Sequence, residues 1–124
     1  MKVFKDLQVG DTIFYYDHCQ MKPRTIVKIE TKDVTKELWG GGTRTYNYIL
    51  LYCEHGYQPI SVHTTWDHGN STMIHHASTK YFSCKEAAEQ WLKGLKGYRE
   101  RRIERAKYLI EKETKILSKY KFND

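Results

Sequence analysis

The chain has 124 residues, 40% of them hydrophobic, and carries 21 Lys and Arg against 15 Asp and Glu, a net charge of +6. That length suits one compact domain with at most one protruding element. No apolar run approaches the roughly 20 residues that span a bilayer, and three widely spaced cysteines do not make a disulfide framework. The first residues, Met1 to Asp6, lack the apolar core of a secretion signal, so a reducing, cytoplasmic setting without membrane attachment is expected.

A turn at Gly10-Asp11 precedes a β-branched and aromatic strand, Thr12 to Tyr16. Residues 17–23 read as a loop closed by Pro23. Arg24 to Thr31 alternates as a strand with one wet face, continuing toward Leu38-Trp39, where Gly40-Gly41-Gly42 permits the positive φ angles of a hairpin turn. Tyr46 to Cys53 is the most apolar run and is expected at the centre of the sheet. A turn over 54–59 leads to a strand from Ile60 to Trp66. After a second turn at Asp67 to Asn70, Thr72 to Ala77 and Lys80 to Phe82 complete the sheet.

Ser83-Cys84-Lys85-Glu86 has the S-x-x-E form of a helix capping box. Apolar residues then recur at helical spacing: Ala88, Trp91, Leu92, Leu95, Ile103, Ala106, Leu109, Ile110, Ile116, Leu117 and Tyr120. Gly94 and Gly97 each cost about 1 kcal/mol relative to Ala in a helix interior, so a break is expected between a short helix (84–93) and a long one (98–121). Strands first and helix last make the fold class α+β: a small antiparallel β-barrel or strongly bent sheet over residues 1–83, then a C-terminal helical segment over 84–121. The seam Ile103, Ala106, Ile110 and Leu117 exceeds what a solvated helix needs, so it is expected to pack on the barrel or on a second subunit, and a homo-oligomer is expected.

Two pieces of the chain carry a resemblance. Asp6-Leu7-Gln8-Val9-Gly10-Asp11-Thr12-Ile13-Phe14-Tyr15 resembles the opening of small SH3-like or KOW-like β-barrels common among short phage and gut-bacterial proteins. Tyr81-Phe82-Ser83-Cys84-Lys85-Glu86-Ala87-Ala88 is similar to the helix start with which several of them end. The resemblance implies a barrel followed by a helix and brings no catalytic residue with it.

Charge is concentrated at the C-terminal end: from Lys85 to Lys121 there are 12 Lys and Arg against 6 Asp and Glu, while residues 1–84 are nearly balanced. Lys96, Arg99, Arg102 and Arg105 recur every three residues as a basic stripe, and guanidinium groups suit phosphate because they stay charged and donate in pairs. Ordinary surface ion pairs such as Glu104–Lys107 account for part of that charge. Gly94-Leu95-Lys96-Gly97 has the G-x-x-G form of KH domains, but the strand that follows the second helix there has no counterpart here. Trp39-Gly40-Gly41-Gly42 is followed by a strand rather than a helix, which favours a hairpin turn over a phosphate loop.

The histidines His55, His63, His68, His75 and His76 lie near Asp67 and Cys53 without the paired short spacing of a zinc site, so no metal and no cofactor are expected. His63 and His75 are placed to approach across a hairpin centred near Gly69. His63-Thr64-Thr65 and His76-Ala77-Ser78 have the H-x-[ST] form that two-histidine phosphoesterases use in pairs, and a histidine-dependent phosphodiesterase is the weakest alternative. Of the strand aromatics, about half are expected in the core.

The leading expectation is a non-enzymatic module that binds a nucleotide or nucleic acid, with Arg24, Lys96, Arg99, Arg102 and Arg105 on phosphate and Trp39 and Trp66 stacking on bases. In organisation, though in no residue, this is similar to phage sponge proteins that sequester nucleotide defence signals, which are small oligomers built from a sheet and C-terminal helices. The rival is a protein-interaction module, such as a phage-encoded inhibitor or virion accessory protein, whose long helix engages a host protein or a second subunit.

Overall fold

The structure, a computed structural model, describes residues 1–65 and 68–122. Among these residues six strands run in the order β1 (Thr12–Asp17), β2 (Gln20–Glu37), β3 (Thr43–Cys53), β4 (Ile60–His63), β5 (Met73–His76) and β6 (Thr79–Phe82), followed by one α-helix, α1 (Lys85–Lys119). All ladders are antiparallel, and the sheet order is β4-β3-β2-β1-β6-β5. The sheet bends until its two outer strands approach, where the Ser61 N–H donates to His76 Nδ1 at 3.4 Å. The result is a nearly closed barrel followed by a helix, an α+β fold. The most apolar strand, β3, lies beside β4, and the centre of the sheet is shared by β2 and β1 instead. β2 is 18 residues long and pairs with β1 along its first part and β3 along its second. The register slips between Ile26 and Lys28 at the crossover, a bulge of the kind that bends a strand at a barrel corner.

Each strand sends alternate side chains inward: Ile13 from β1, Ile26 from β2, Leu51 from β3, Ile60 and Val62 from β4, Ile74 from β5 and Tyr81 from β6. Phe4 and Leu7, from a 3₁₀ turn at Phe4–Asp6, join this core. The Phe4 N–H donates to the Ser71 carbonyl, so the N-terminal segment is tied to the chain just before β5. Asp11 accepts the Gln8 N–H and the Lys2 ammonium, and these bonds hold its carboxyl below the usual carboxylate range. Among the described aromatics, only Phe4, Tyr81 and Phe82 are buried. Tyr15 packs partly against the core, and the other tyrosines of the sheet do not enter it. The three cysteines are free.

Three sequence expectations need correction here. Residues 17–23 are not a loop: Asp17 pairs with Gln20 around a two-residue turn in which His18 and Cys19 both have positive φ. Pro23 lies inside β2, opposite Phe14. Counting alternately from the hydrogen-bonded Asp17–Gln20 pair makes Phe14–Pro23 a non-hydrogen-bonded pair, so the missing N–H faces away from β1. β3 pairing does not begin until Ile26, so no ladder bond is lost there. Second, β4 ends at His63, because Thr64 turns the chain: its N–H and hydroxyl both donate to the Asn47 carbonyl.

Third, α1 runs unbroken through Gly94 and Gly97. Two glycine penalties of about 1 kcal/mol each are spread over a 35-residue helix rich in Lys, Arg, Glu, Leu and Ala. The helix starts at Lys85, with the Ala88 N–H bonded to the Cys84 carbonyl. The Ser83 hydroxyl, assigned from sequence to the cap, donates to the Lys2 carbonyl and is buried. Among the described residues no helix is long and apolar enough to cross a membrane. The chain divides into two compact units, Met1–Gln90 and Trp91–Asp124.

Candidate functional site

Within the first unit, the β2–β3 hairpin extends beyond the reach of β4, which pairs with β3 only from Tyr48 to Leu51. The arm so formed ends in Gly40, Gly41 and Gly42, all at positive φ, where the Leu38 N–H donates to the Gly42 carbonyl. Trp39 stands fully exposed at this tip.

The register sorts the hairpin's side chains onto two faces. Glu37 pairs with Thr43 and Lys28 with Tyr52, so Lys28, Glu30, Lys32, Val34 and Lys36 share a face with Tyr52, Leu50, Tyr48, Tyr46 and Arg44. His63, opposite Tyr48, extends this face onto β4. Ile29, Ile49, Leu51 and Val62 have the other parity and pack in the core, so the tyrosine face is the outer one.

This outer face interleaves rings with cations. The Lys28 ammonium lies 5.2 Å from the Tyr52 ring centroid, and Lys36 and Arg44 each lie 5.8 Å from that of Tyr46. His63 lies 4.6 Å from Tyr48 and stands edge-on to Tyr46 at 5.5 Å, with His68 beyond it at 5.9 Å. Burial and the neighbouring His68 push the His63 imidazole below its ordinary range, so it is neutral at pH 7 and supports the rings as an aromatic plate.

Among the described residues this face carries one carboxylate, Glu30, and it is ion-paired. Glu30 accepts from Lys28 at 2.7 Å and from the Tyr52 hydroxyl at 3.1 Å; these bonds lower its pKa and raise those of both donors. Among the described residues no carboxylate pairs with Lys32 or Lys36. The arm's other acids, Asp33 and Glu37, have the opposite parity.

The residues singled out from sequence fall in both units. Arg24 lies on β2 with its guanidinium 4.6 Å from the Tyr15 ring centroid, in a surface recess lined also by Pro23, Thr25, Glu54 and His55. Glu54 gives that recess mixed charge. Trp39 lies in the turn beyond the far end of that strand, and Trp66 lies outside the described residues. Lys96, Arg99, Arg102 and Arg105 belong to the second unit. Each three-residue step falls about 60° short of a full turn on an α-helix, so Lys96 and Arg105 point to opposite sides, and the four do not form a stripe along one side. Arg99 and Arg102 flank the Tyr98 ring and share a shallow groove with Ile103 and Ala106. Gly94-Leu95-Lys96-Gly97 is plain helix, not a KH-type loop.

The histidines do not meet as expected either. β4 and β5 are the outer strands of the sheet and do not pair as a hairpin; His76, not His75, reaches β4, while His75 pairs with Lys80. Ala77 and Ser78 both have positive φ and form the β5–β6 turn, and the Thr65 hydroxyl accepts the Asn47 N–H. Among the described residues, no three His, Cys, Asp or Glu side chains are grouped to hold a metal ion.

The sequence reading missed Lys32, Lys36, Arg44, Tyr46, Tyr48 and Tyr52 as a set. Their signal was the alternation Tyr46-x-Tyr48-x-Leu50-x-Tyr52 set against lysines every fourth residue, folded about the three glycines. Comparison with protein-family models, with curated proteins and with solved structures returns no match.

Proposed function

We propose that this protein is a non-enzymatic binding module for single-stranded nucleic acid, and that the outer face of β2, β3 and β4 is where it binds. The observation that carries the reading is the segregation of groups by strand parity. Lys28, Lys32, Lys36 and Arg44 stand among Tyr46, Tyr48 and Tyr52 on one face, with Asp33 and Glu37 on the other. Aromatic plates accept any unstacked base, and cations beside them track the phosphates. Tyr46 and Tyr48 are about 6.8 Å apart along the strand, about the reach of one extended nucleotide, and Trp39 offers a further ring at the tip. The face is long and open, which suits a strand better than a mononucleotide; small ligands are held in concave sites that enclose most of their surface. The excess charge of α1 adds long-range attraction for any polyanion.

The test is fluorescence anisotropy with a labelled single-stranded DNA or RNA oligonucleotide, its duplex, and a labelled mononucleotide, over a series of salt concentrations. The expected result is preference for the single strand, affinity that falls steeply with salt, and weakening by Tyr48→Ala and Lys32→Glu. Equal binding by both variants and the wild type, or no binding of any ligand at low salt, overturns the reading.

A further inference from the structure

α1 carries an apolar face whose side chains are exposed. Ile103, Ile110 and Leu117 follow one another at seven-residue spacing and are 54%, 64% and 69% exposed, and Leu109 and Ile116 beside them are exposed as well. Because the helix is unbroken, the spacing makes one continuous face, and Leu95 and Ala106 fall on it, with Tyr120 one residue past the helix's end. The face runs along the helix from Leu95 to Leu117, just over three heptads, with Arg99, Arg102 and Glu113 set among its apolar residues.

The charges on this face decide what fits it. Arg99 and Arg102 lie toward its N-terminal end and Glu113 toward its C-terminal end, within the groove lined by Leu109, Ile110, Thr114 and Leu117. A parallel second copy would set Arg99 on Arg99, Arg102 on Arg102 and Glu113 on Glu113, three like-charge contacts along one seam. An antiparallel second copy, with its two-fold axis between residues 107 and 108, sets Arg102 against the second copy's Glu113, and Glu113 against the second copy's Arg102. The same register places Ala106 against Leu109 and the aliphatic stem of Arg99 against Ile116, and brings Leu95 level with the end of the second copy's helix. The small side chain of Ala106 near the axis lets the two backbones come close.

We infer that α1 is a self-association element: two copies of this chain pair through it antiparallel, in the register that matches Arg102 with Glu113. The contact is isologous and closes on itself, so it yields a dimer and not a filament. None of its residues lies on the β2–β3–β4 face, so the two proposals stand or fall separately.

The test is sedimentation equilibrium on the full chain for the wild type, Arg102→Glu, Glu113→Arg and the double variant. Circular dichroism checks that each keeps its helix. The wild type is expected to be a dimer. Each single variant opposes like charges at both symmetry-related contacts and is expected to weaken the dimer about tenfold, and the double variant to regain wild-type affinity. A parallel pair gives a different pattern, because each residue meets its own copy and a single reversal leaves the contact like-on-like. A wild type that stays monomeric at the highest concentration reached, or a dimer insensitive to the single reversals, overturns the inference.

Discussion

The two units use apolar side chains in opposite ways. In Met1–Gln90, every strand of the sheet places at least one residue in a common interior, and Ile13, Leu51 and Val62 lose all contact with solvent. From Trp91 onward, Ile103, Tyr108, Leu109, Ile110, Ile116 and Leu117 remain exposed. Helical periodicity and strand alternation are equally regular in the two regions, so pattern alone does not distinguish a self-sufficient core from a surface that needs another molecule. The difference lies in what the topology supplies. A nearly closed sheet is its own partner, whereas a single helix has no second layer unless another element provides it.

The comparison is tested most severely at the barrel core. Leu51→Ala is expected to cost about 2–5 kcal/mol, seen as a lower urea midpoint, while the dimer dissociation constant of the fraction that remains folded is unchanged. A loss of dimerisation in step with core stability would show that the two units are not energetically separate. On the outer face of the same unit, Tyr48→Ala is expected to weaken single-strand binding by about 1–3 kcal/mol, roughly 5- to 150-fold in affinity, with much less effect on the urea midpoint. Lys32→Gln is expected to weaken binding less and to reduce the slope of log affinity against log salt by about one. An unchanged slope would remove Lys32 from the phosphate path.

In the second unit, Gly94→Ala is expected to stabilise α1 by up to about 1 kcal/mol, since an added Cβ at Gly94 meets no atom within 4 Å. Destabilisation would mean that the glycine serves a bend or a close approach. The smallest effect concerns pH. The folded state lowers the His63 pKa below its ordinary value of about 6.5, so between the folded and unfolded values the unfolded chain binds more protons and stability rises with pH. The contribution is fully present above about 6.5 and is lost as pH falls through that window. Urea midpoints at pH 7.5 and 5.5 should therefore differ more for the wild type than for His63→Gln. The carboxylates lowered by ion pairing, Asp11, Asp17 and Glu30, lose their contributions at more acid pH, as pH falls from the ordinary carboxylate range through their lowered folded values.

Much of the barrel was legible in the sequence because strand alternation and glycine turns are local signals. Thr12 to Tyr16, Arg24 to Thr31 and Tyr46 to Cys53 all fall within observed strands. The errors arose where the usual residue was replaced by an unusual one. His18-Cys19 and Ala77-Ser78 occupy left-handed turn positions that favour Asn or Gly, so nothing in their composition announces a tight hairpin. Pro23 is a strand breaker by rule, yet it is harmless where no ladder bond is due. Gly94 and Gly97 weaken a helix without ending it when the residues on both sides favour one.

The candidate site was less legible for a different reason. A run of arginines is conspicuous along the chain, whereas the face built from Lys32, Lys36, Arg44, Tyr46 and Tyr48 exists only once β2 and β3 are set in register. Its residues are ordinary one by one, and their chemistry comes from shared parity across the hairpin.

The measurement that bears most directly on this account is an NMR titration of the isotope-labelled protein with a short single-stranded oligonucleotide, following both backbone amides and tyrosine ring signals. The largest shifts are expected on the Tyr46 and Tyr48 rings and on the amides of Lys32, Lys36 and Arg44. Shifts confined to Lys96 through Arg105 of α1, with the tyrosine rings unmoved, would contradict it.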